Sequence, residues 1–314
     1  MKKKLNLKRG FAKIPAPLSS IFSPKIFRNG ELREDPIETG AIGGGFALAN
    51  GVETMIELDL DGEDSSSVLV NDSITYFPPS IEAAEYMREI LGLRGSIKIR
   101  HRMGVPIATG FGTSAASALG VILILSKLSG RGMTLLEACK ITHEIELKCK
   151  TGLNSEAGIL SGGLILVLRE GAPPRLMIDS IPLPSEVGLV AVVAGVLETA
   201  EILKDVEKLR EIEEIGDRRM KEILERPTPE NFLEQARAFA WETGFVTKEV
   251  EEIFEVLKSL PTIGYAQNML GKAVHALVEG KDLAKVESYL RETFPEYRIV
   301  SSKIGYGVRV SSTF

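Results

Sequence analysis

The sequence predicts an α+β protein. Two observations carry this. Segments with strand periodicity and segments with helical periodicity are mixed in both halves of the chain, without a regular strand–helix alternation. A turn-forming cluster, Gly171-Ala-Pro-Pro174, also opens a stretch near residues 171–187 that marks a boundary between two units. With 314 residues, 44% of them apolar, the chain is long enough for one large core or two smaller ones.

Residues 40–45 are rich in glycine, and the segment after them, to about 60, alternates as a half-buried strand. Those glycines either let the backbone approach a ligand or form a bulge or turn. Residues 81–91 read as a short helix and 96–101 as a strand. Residues 114–128 read as a buried helix, with Lys127 in its last turn and Gly130 near its C-terminal cap. Thr134 and Glu137 have capping-box spacing and start a helix that runs to about Lys150. Projected at about 100° per residue, Ala138, Ile141, Ile145 and Cys149 form its apolar stripe. Glu137, Lys140, Glu144 and Lys148 fall on the opposite or flanking side. Glu146 falls at the edge of the stripe, near Leu135 and Cys139, and a glutamate turned toward a core is informative.

Residues 164–168 and 188–195 read as buried strands. Charged amphipathic helices are expected over 199–225, 229–241 and 248–260, then helices over 264–278 and 283–292. The tail, 297–310, reads as two strands around Gly305-Tyr306-Gly307. There is no internal repeat and no low-complexity linker.

The formal net charge of −5 gives no bulk basicity for nucleic acid or an anionic membrane. The N-terminal start is basic, but Lys13, Pro15 and Pro17 interrupt the segment after it, so neither a signal peptide nor a membrane anchor is read there. The run from Leu119 to Leu125 is too short to span a bilayer. The two cysteines, Cys139 and Cys149, fit no zinc or redox spacing and lie too far apart on one helix for a disulfide. They read as apolar fillers in a reducing cytoplasm. Gln235 and Gln267 are the only glutamines, which with the abundant Glu and Lys hints at a thermophilic source.

Two strong phosphate signatures are absent: no Gly-x-x-x-x-Gly-Lys-Ser/Thr, and no Gly-x-Gly-x-x-Gly after a strand. His101, His143 and His275 lack metal-ligand spacing. There remains Pro106-Ile-Ala-Thr-Gly110-Phe-Gly112-Thr-Ser114-Ala-Ala116, directly before the buried helix. One reading is a plain capped helix after a glycine turn. The other is an anion cradle: small residues expose N–H groups, a helix N-terminus adds its dipole, and Thr113 and Ser114 add hydroxyls for phosphate or Mg²⁺.

Pro106, Gly110, Phe111, Gly112, Thr113, Ser114, Ala115 and Ala116 resemble the second motif of the GHMP kinases, Pro-x-x-x-Gly-Leu-Gly-Ser-Ser-Ala-Ala, with Phe111 and Thr113 as departures. Within that superfamily the chain most resembles the archaeal pantoate kinase family. The matching segments run through nearly the whole sequence: Asp35-Pro with Thr39-Gly40 and Gly43–Gly45, His143-Glu-Ile-Glu146, Lys150-Thr-Gly-Leu153, Gly162-Gly163, Gly171-Ala-Pro173, Phe239 to Gly244, and Ala266 to Ala276.

The resemblance implies a two-lobed GHMP kinase fold, with residues 1–180 as an N-terminal ATP-binding lobe of the ribosomal protein S5 domain 2-like kind. Residues 181–314 would form an α+β C-terminal lobe. It implies ATP-dependent phosphorylation of pantoate to 4-phosphopantoate in archaeal coenzyme A synthesis, with Mg²⁺, and a homodimer. The residues from Pro106 to Ala116 would wrap the ATP phosphates, and Ser114 would approach the metal. A glutamate of the following helix would hold the metal too, Glu146 first and Glu144 second; the alternative for Glu146 is an ion pair at the helix rim. Gly305 would belong to a third glycine-rich turn over the phosphates, or to an ordinary hairpin.

The sequence departs from the family where a catalytic aspartate is commonly assigned: an ungapped match puts Ser155 there, in Thr151-Gly-Leu-Asn-Ser155-Glu156. Three readings stand. Glu156 reaches the hydroxyl by a one-residue shift; the site works without a carboxylate base, with Asn154 orienting the hydroxyl; or the protein is a weak enzyme, or one for another small hydroxy acid or alcohol, with a nucleotide-binding paralogue as the limiting case. The first motif is altered as well, at Pro15-Ala-Pro17-Leu-Ser-Ser20. Ser20, Arg28 and Arg33 are the candidate acceptor contacts, with Arg102 a further arginine by neighbourhood. Lys13, Lys25 and Lys303 are candidate charge neutralisers.

Overall fold

The computed structural model describes residues 6–197 and 205–313. Two sheets organise the fold. The first takes β1 (Leu7–Lys25), β4 (Gly40–Asp59), β5 (Ser65–Val70), β6 (Ser73–Ile74), β7 (Ser96–Met103), β8 (Leu164–Arg169), β9 (Met177–Ile181) and β14 (Arg309–Thr313). Its order is β14-β1-β4-β7-β5-β6, with β8 pairing β4 and β9 pairing β8. The second is antiparallel, in the order β11-β12-β10-β13, from β10 (Val187–Val196), β11 (Gly264–Gln267), β12 (Gly271–Glu279) and β13 (Arg298–Lys303). A small hairpin, β2 (Phe27–Arg28) and β3 (Glu31–Leu32), stands apart.

β1 is the element whose sequence disguises it. Pro15, Pro17 and Pro24 lie inside it, and Lys13, Pro15 and Pro17 read as interruptions. On one side β1 pairs with β4 along its whole length, with register shifts between Ile14 and Ala16 and between Ser19 and Ile21. On the other side β14 reaches only Arg9 to Lys13. The prolines fall beyond that reach, where a missing N–H breaks no second ladder.

On the first sheet pack α1 (Pro78–Leu91), α2 (Thr113–Ser129), α3 (Leu135–Cys149) and α4 (Glu156–Ser161). α2 comes close to the strands because Gly120 has no side chain: a Cβ there would stand 2.6 Å from Thr54 Oγ1. The expected capping box is formed, with Thr134 Oγ1 accepting from the Glu137 N–H and the Glu137 carboxylate accepting from the Thr134 N–H. α5 (Val206–Glu225) packs against β1 and α6 (Pro229–Glu242), α6 lies on β11 and β1, and α7 (Lys248–Leu257) and α8 (Gly280–Thr293) cover the second sheet. The helix expected over 199–225 is described only from Val206; residues 198–204 lie outside the described residues.

Two expectations fail, each for a tertiary reason. Residues 264–278 are not a helix but β11 and β12, turning at Asn268–Leu270, where Leu270 is left-handed (φ 62°). β12 is buried on both faces: Ala273 and Leu277 join the core shared by the two sheets, while Val274, Ala276 and Val278 pack on α7 and α8. A run apolar on both faces has no strand alternation to read. The tail does contain two strands, but they form no hairpin. β13 pairs with β10 in the second sheet and β14 with β1 in the first, so Gly305-Tyr306-Gly307 is a bridge between sheets. The expected division at 180/181 falls at the end of β9, and β14 carries the chain back to the first sheet.

Candidate active site

The cavity that gathers most of the motifs has a volume of about 430 Å³ and lies between the start of α2, the glycine-rich start of β4, the loop 150–155 and the β11–β12 turn. The glycine stretch makes its floor. Gly110 (φ 81°) and Gly112 (φ 60°) are left-handed, and a Cβ on Gly110 would press to 2.6 Å from the Met269 carbonyl oxygen. A Cβ on Gly112 would collide with the Pro17 carbonyl. Only glycine satisfies both the sign of φ and the space. Gly112 is the N-cap of α2 and no side chain caps that helix, so its first N–H groups face the cavity without an internal acceptor.

Five of the expected cradle residues, Gly110, Phe111, Gly112, Thr113 and Ser114, line the cavity. Pro106, Ala115 and Ala116 do not. Both alanines are fully buried under the cradle, and their small size lets α2 pack there. Gly305 is corrected outright. Its N–H donates to the Ala47 carbonyl at 2.8 Å and its carbonyl accepts from Gly163 N–H at 3.2 Å, so no free donor is left for a phosphate.

Glu146 is fully buried, as its helical projection indicated, and its Oε1 accepts from Ser114 Oγ at 2.6 Å. Its Oε2 has no hydrogen-bond partner. That oxygen and Ser155 Oγ crowd the same point above Gly152, where a Cβ would collide with both. Burial, and then the charge of nearby Glu156, push the Glu146 carboxyl up to about 7, against the pull of the Ser114 and Ser155 hydroxyls. Glu146 does not itself line the cavity, but its buried oxygen with no partner, reached through Ser114 at the uncapped helix N-terminus, fits a hard cation. Among the described residues no group of three or more His, Cys, Asp or Glu could hold a metal by itself, so phosphate oxygens and water would complete its shell. Glu144, the second choice, lines a different surface groove, between α1 and α3.

Ser155 lines the cavity; Glu156 does not. Glu156 is fully buried, and its Oε1 meets His143 Nδ1 at 3.1 Å and accepts from Asn154 Nδ2 at 3.0 Å. The other ring nitrogen of His143 faces the carbonyls of Thr39 at 2.8 Å and Pro36 at 3.1 Å. Burial alone would lower the imidazole pKa. The hydrogen bond and charge of Glu156, with the Thr39 carbonyl, outweigh it and raise it to about 9. His143 is therefore an imidazolium that donates from both nitrogens and clamps the turn 35–39 onto α3. Asn154 has no free group either. It is left-handed (φ 70°), its Oδ1 accepts from the N–H groups of Ala41 and Gly171, and its Nδ2 donates to Glu156 and to the Gly171 carbonyl. Asn154 lines the cavity but its amide is fully committed, and Glu156 lies outside the lining with Oε2 buried and unpartnered, so the two form a brace at the loop and, contrary to expectation, neither presents a free group to a substrate hydroxyl in the cavity.

The expected acceptor contacts are displaced too. The register shift in β1 turns Ser19 toward the cavity and buries Ser20, which donates to His275 Nε2 at 2.9 Å. His275 in turn donates from Nδ1 to Asn268 Oδ1, and burial depresses its pKa to about 3, so the ring is neutral. Arg28 pairs with Glu38 on the surface, and Arg33 with Glu170 at 2.7 Å. Neither lines the cavity, nor does Arg102. Lys13 pairs with Glu53, Lys25 with Glu213 and Asp217, and Lys303 lies outside the cavity. The cavity walls that the sequence did not reveal are mostly apolar: Phe77, Pro78, Pro79 and Ile107 at the start of α1 and after β7, and Phe22, Ile42 and Val167 on β1, β4 and β8.

The two raised pKa values, of His143 and Glu146, bear on the pH behaviour of the apoprotein above neutrality. His143 titrates near 9 when folded against 6.5 when free, so its stabilisation is complete below about 6.5 and is lost as pH rises through 9. Glu146 titrates near 7 against 4.5, and its preference for the folded state is likewise lost as pH rises through 7. The Tm of the metal-free protein is therefore expected to fall between about pH 6.5 and 9. Calorimetry across that window checks it; a rising Tm contradicts both assignments.

Similarity to known proteins agrees with this geometry. The model for the GHMP kinases N terminal domain matches residues 80–162, which hold α1, β7, the cradle, α3 and α4. A pantoate kinase of Thermococcus kodakarensis is 30% identical over 290 residues, spanning 91% of this chain and 93% of that protein. A pantoate kinase of Methanocaldococcus jannaschii is 27% identical over 256 residues, spanning 81% and 90%. A solved structure described as a phosphotransferase related to the CoA biosynthesis pathway matches with a TM-score of 0.82 at 27% identity, covering 97% of this chain and 98% of that one.

Proposed function

The chain belongs to the pantoate kinase family of the GHMP kinases, and from that premise we propose that it transfers the γ-phosphoryl group of MgATP to the primary hydroxyl of pantoate. The observation that carries the reading is the Ser114–Glu146 pair at 2.6 Å, set at the uncapped start of α2 beside two left-handed glycines. The cradle N–H groups would hold the phosphates. Ser114 and Glu146 would hold Mg²⁺, which when bound supplies charge neutralisation between the phosphates. The apolar wall at Phe77, Pro79 and Ile107 suits a nucleobase. The wall at Phe22, Ile42 and Val167 suits the dimethyl-substituted carbon of pantoate.

Ser155 at the cavity wall is no base at neutral pH; of the carboxylates near it, Glu146 is assigned to the metal and Glu156 lies outside the cavity lining. Transfer in this reading rests on alignment and charge neutralisation, with the hydroxyl proton leaving late to a phosphate oxygen or water. In the same proposal residues 1–180 are the nucleotide-side lobe and 181–314 the second, and the enzyme is a cytoplasmic homodimer; light scattering of the purified protein reports the oligomeric state. Among the described residues no helix is long and apolar enough to cross a membrane.

One observation favours a second reading. No arginine lines the cavity among the described residues, so nothing there offers a two-pronged clamp for the pantoate carboxylate. A kinase for another small hydroxy acid or alcohol would need none. The test of both is ADP release with MgATP, with D-pantoate and with a panel of small alcohols and hydroxy acids, for wild type and Ser155→Ala. Pantoate-dependent turnover that survives in Ser155→Ala supports the proposal. Turnover only with another acceptor replaces pantoate, and nucleotide binding without turnover on any acceptor replaces the kinase by a binding protein.

A further inference from the structure

Among the described residues that line the cavity, Lys150 is the only one with a charged side chain. The lysines that the sequence suggested for this role are committed elsewhere or lie outside the cavity. Lys150 is exposed, and among the described residues no carboxylate stands within ion-pair distance of it, whereas Lys148, two residues earlier, is paired with Glu82.

Its backbone is the second observation. Lys150 is the C-cap of α3 in the left-handed conformation (φ 57°, ψ 42°), with its N–H turned back to the carbonyls of Glu146 and Leu147. Helices that end this way usually place glycine there, because a Cβ is disfavoured in that region. A lysine at such a position sits in a sparsely populated backbone state, held there at a cavity wall. The location is specific as well. Lys150 follows Glu146 by one helical turn, and Glu146 is bonded to Ser114 at the cradle. The loop that begins at Lys150 shares the cavity with the cradle, so a cation there borders the space in which the nucleotide's phosphates would lie.

We propose that Lys150 neutralises the terminal phosphate of the bound nucleotide and the charge on the phosphoryl group in flight, so that it is a further catalytic residue of the transfer. The inference rests on the kinase reading. It assigns to the loop after α3 the neutralising lysine that the sequence suggested at Lys13, Lys25 or Lys303.

The strained cap supplies a discriminating experiment. Lys150→Gly removes the side chain and relieves the backbone, so the apoprotein is expected to melt at or above the wild-type temperature. Its kcat is expected to fall on the order of 10²-fold, with the acceptor KM nearly unchanged. Lys150→Met should lose the same activity, and Lys150→Arg should keep part of it. A readout without turnover comes from calorimetric titration with MgADP and with a non-hydrolysable MgATP analogue. Wild type should bind the triphosphate more tightly than the diphosphate, and Lys150→Gly should lose about tenfold of that preference. Unchanged kcat and unchanged preference overturn the proposal. So does a rise confined to the acceptor KM, which would put Lys150 on the acceptor's carboxylate. The titration needs no acceptor, so the proposal survives or fails independently of whether pantoate is the substrate.

Discussion

Glu146→Gln is expected to lower kcat with MgATP on the order of 10²–10³-fold, the range for losing one preorganised charge at a reacting phosphate. The apoprotein should fold as well as wild type. The glutamate is buried and its pKa is pushed up to about 7, so below that pH a neutral amide of the same shape replaces a largely neutral acid. The amide can keep the bond to Ser114, which is 2.6 Å away. What it cannot do is present an anionic oxygen at the position of the unpartnered Oε2. Steady-state kinetics over a Mg²⁺ titration measures both parts. In wild type the apparent Mg²⁺ affinity should also improve as pH rises through 7, because proton and cation compete for one carboxylate. Unchanged kcat and Mg²⁺ dependence in Glu146→Gln would exclude Glu146 from metal binding. Ser114→Ala removes the other half of the pair and is expected to cost about 10–100-fold.

Glu156→Ala is the largest expected effect on stability. It strands the His143 imidazolium, buried with no other carboxylate in contact among the described residues, and leaves Asn154 Nδ2 short of an acceptor. Removing one partner of a buried pair costs about 3–5 kcal/mol, and the lower end applies because an imidazole can shed its proton. Chemical denaturation should show that loss, and Glu156→Gln a smaller one. At temperatures where either variant stays folded, kcat should lie close to wild type, since the side chain does not line the cavity. A fall of about 10²–10⁴-fold in the folded variant would instead mark Glu156 as the general base.

The features read correctly from the sequence are local ones. The capping box at Thr134 and Glu137 closes within one helical turn. The inward direction of Glu146 follows from 3.6-residue periodicity. The glycines at 110 and 112 announce a backbone that other residues cannot adopt, and the α+β pattern follows from segment periodicity. The features the sequence left hidden depend on distant partners. β1 is a strand despite three prolines, because β14 stops short of them. β12 looks helical because helices and sheet bury both its faces. Ser20 was placed by the first motif and Arg28 and Arg33 by neighbourhood in the chain, but a register shift, the surface carboxylate of Glu38 and the buried one of Glu170 hold them away from the cavity. Glu156 lies outside the cavity against His143, and Asn154 lines the cavity with its amide spent on Glu156 and on the backbone at 41 and 171. Lys150 gained its significance only when the fold left it as the one charge on the cavity wall among the described residues. The sequence by itself determined the glycine-rich turn before α2 and the inward glutamate beside it, since the turn is written in neighbouring residues and the glutamate's direction in the period of its own helix. Which polar groups reach the cavity was decided by the tertiary structure, because burial and strand register are set by segments distant in the chain.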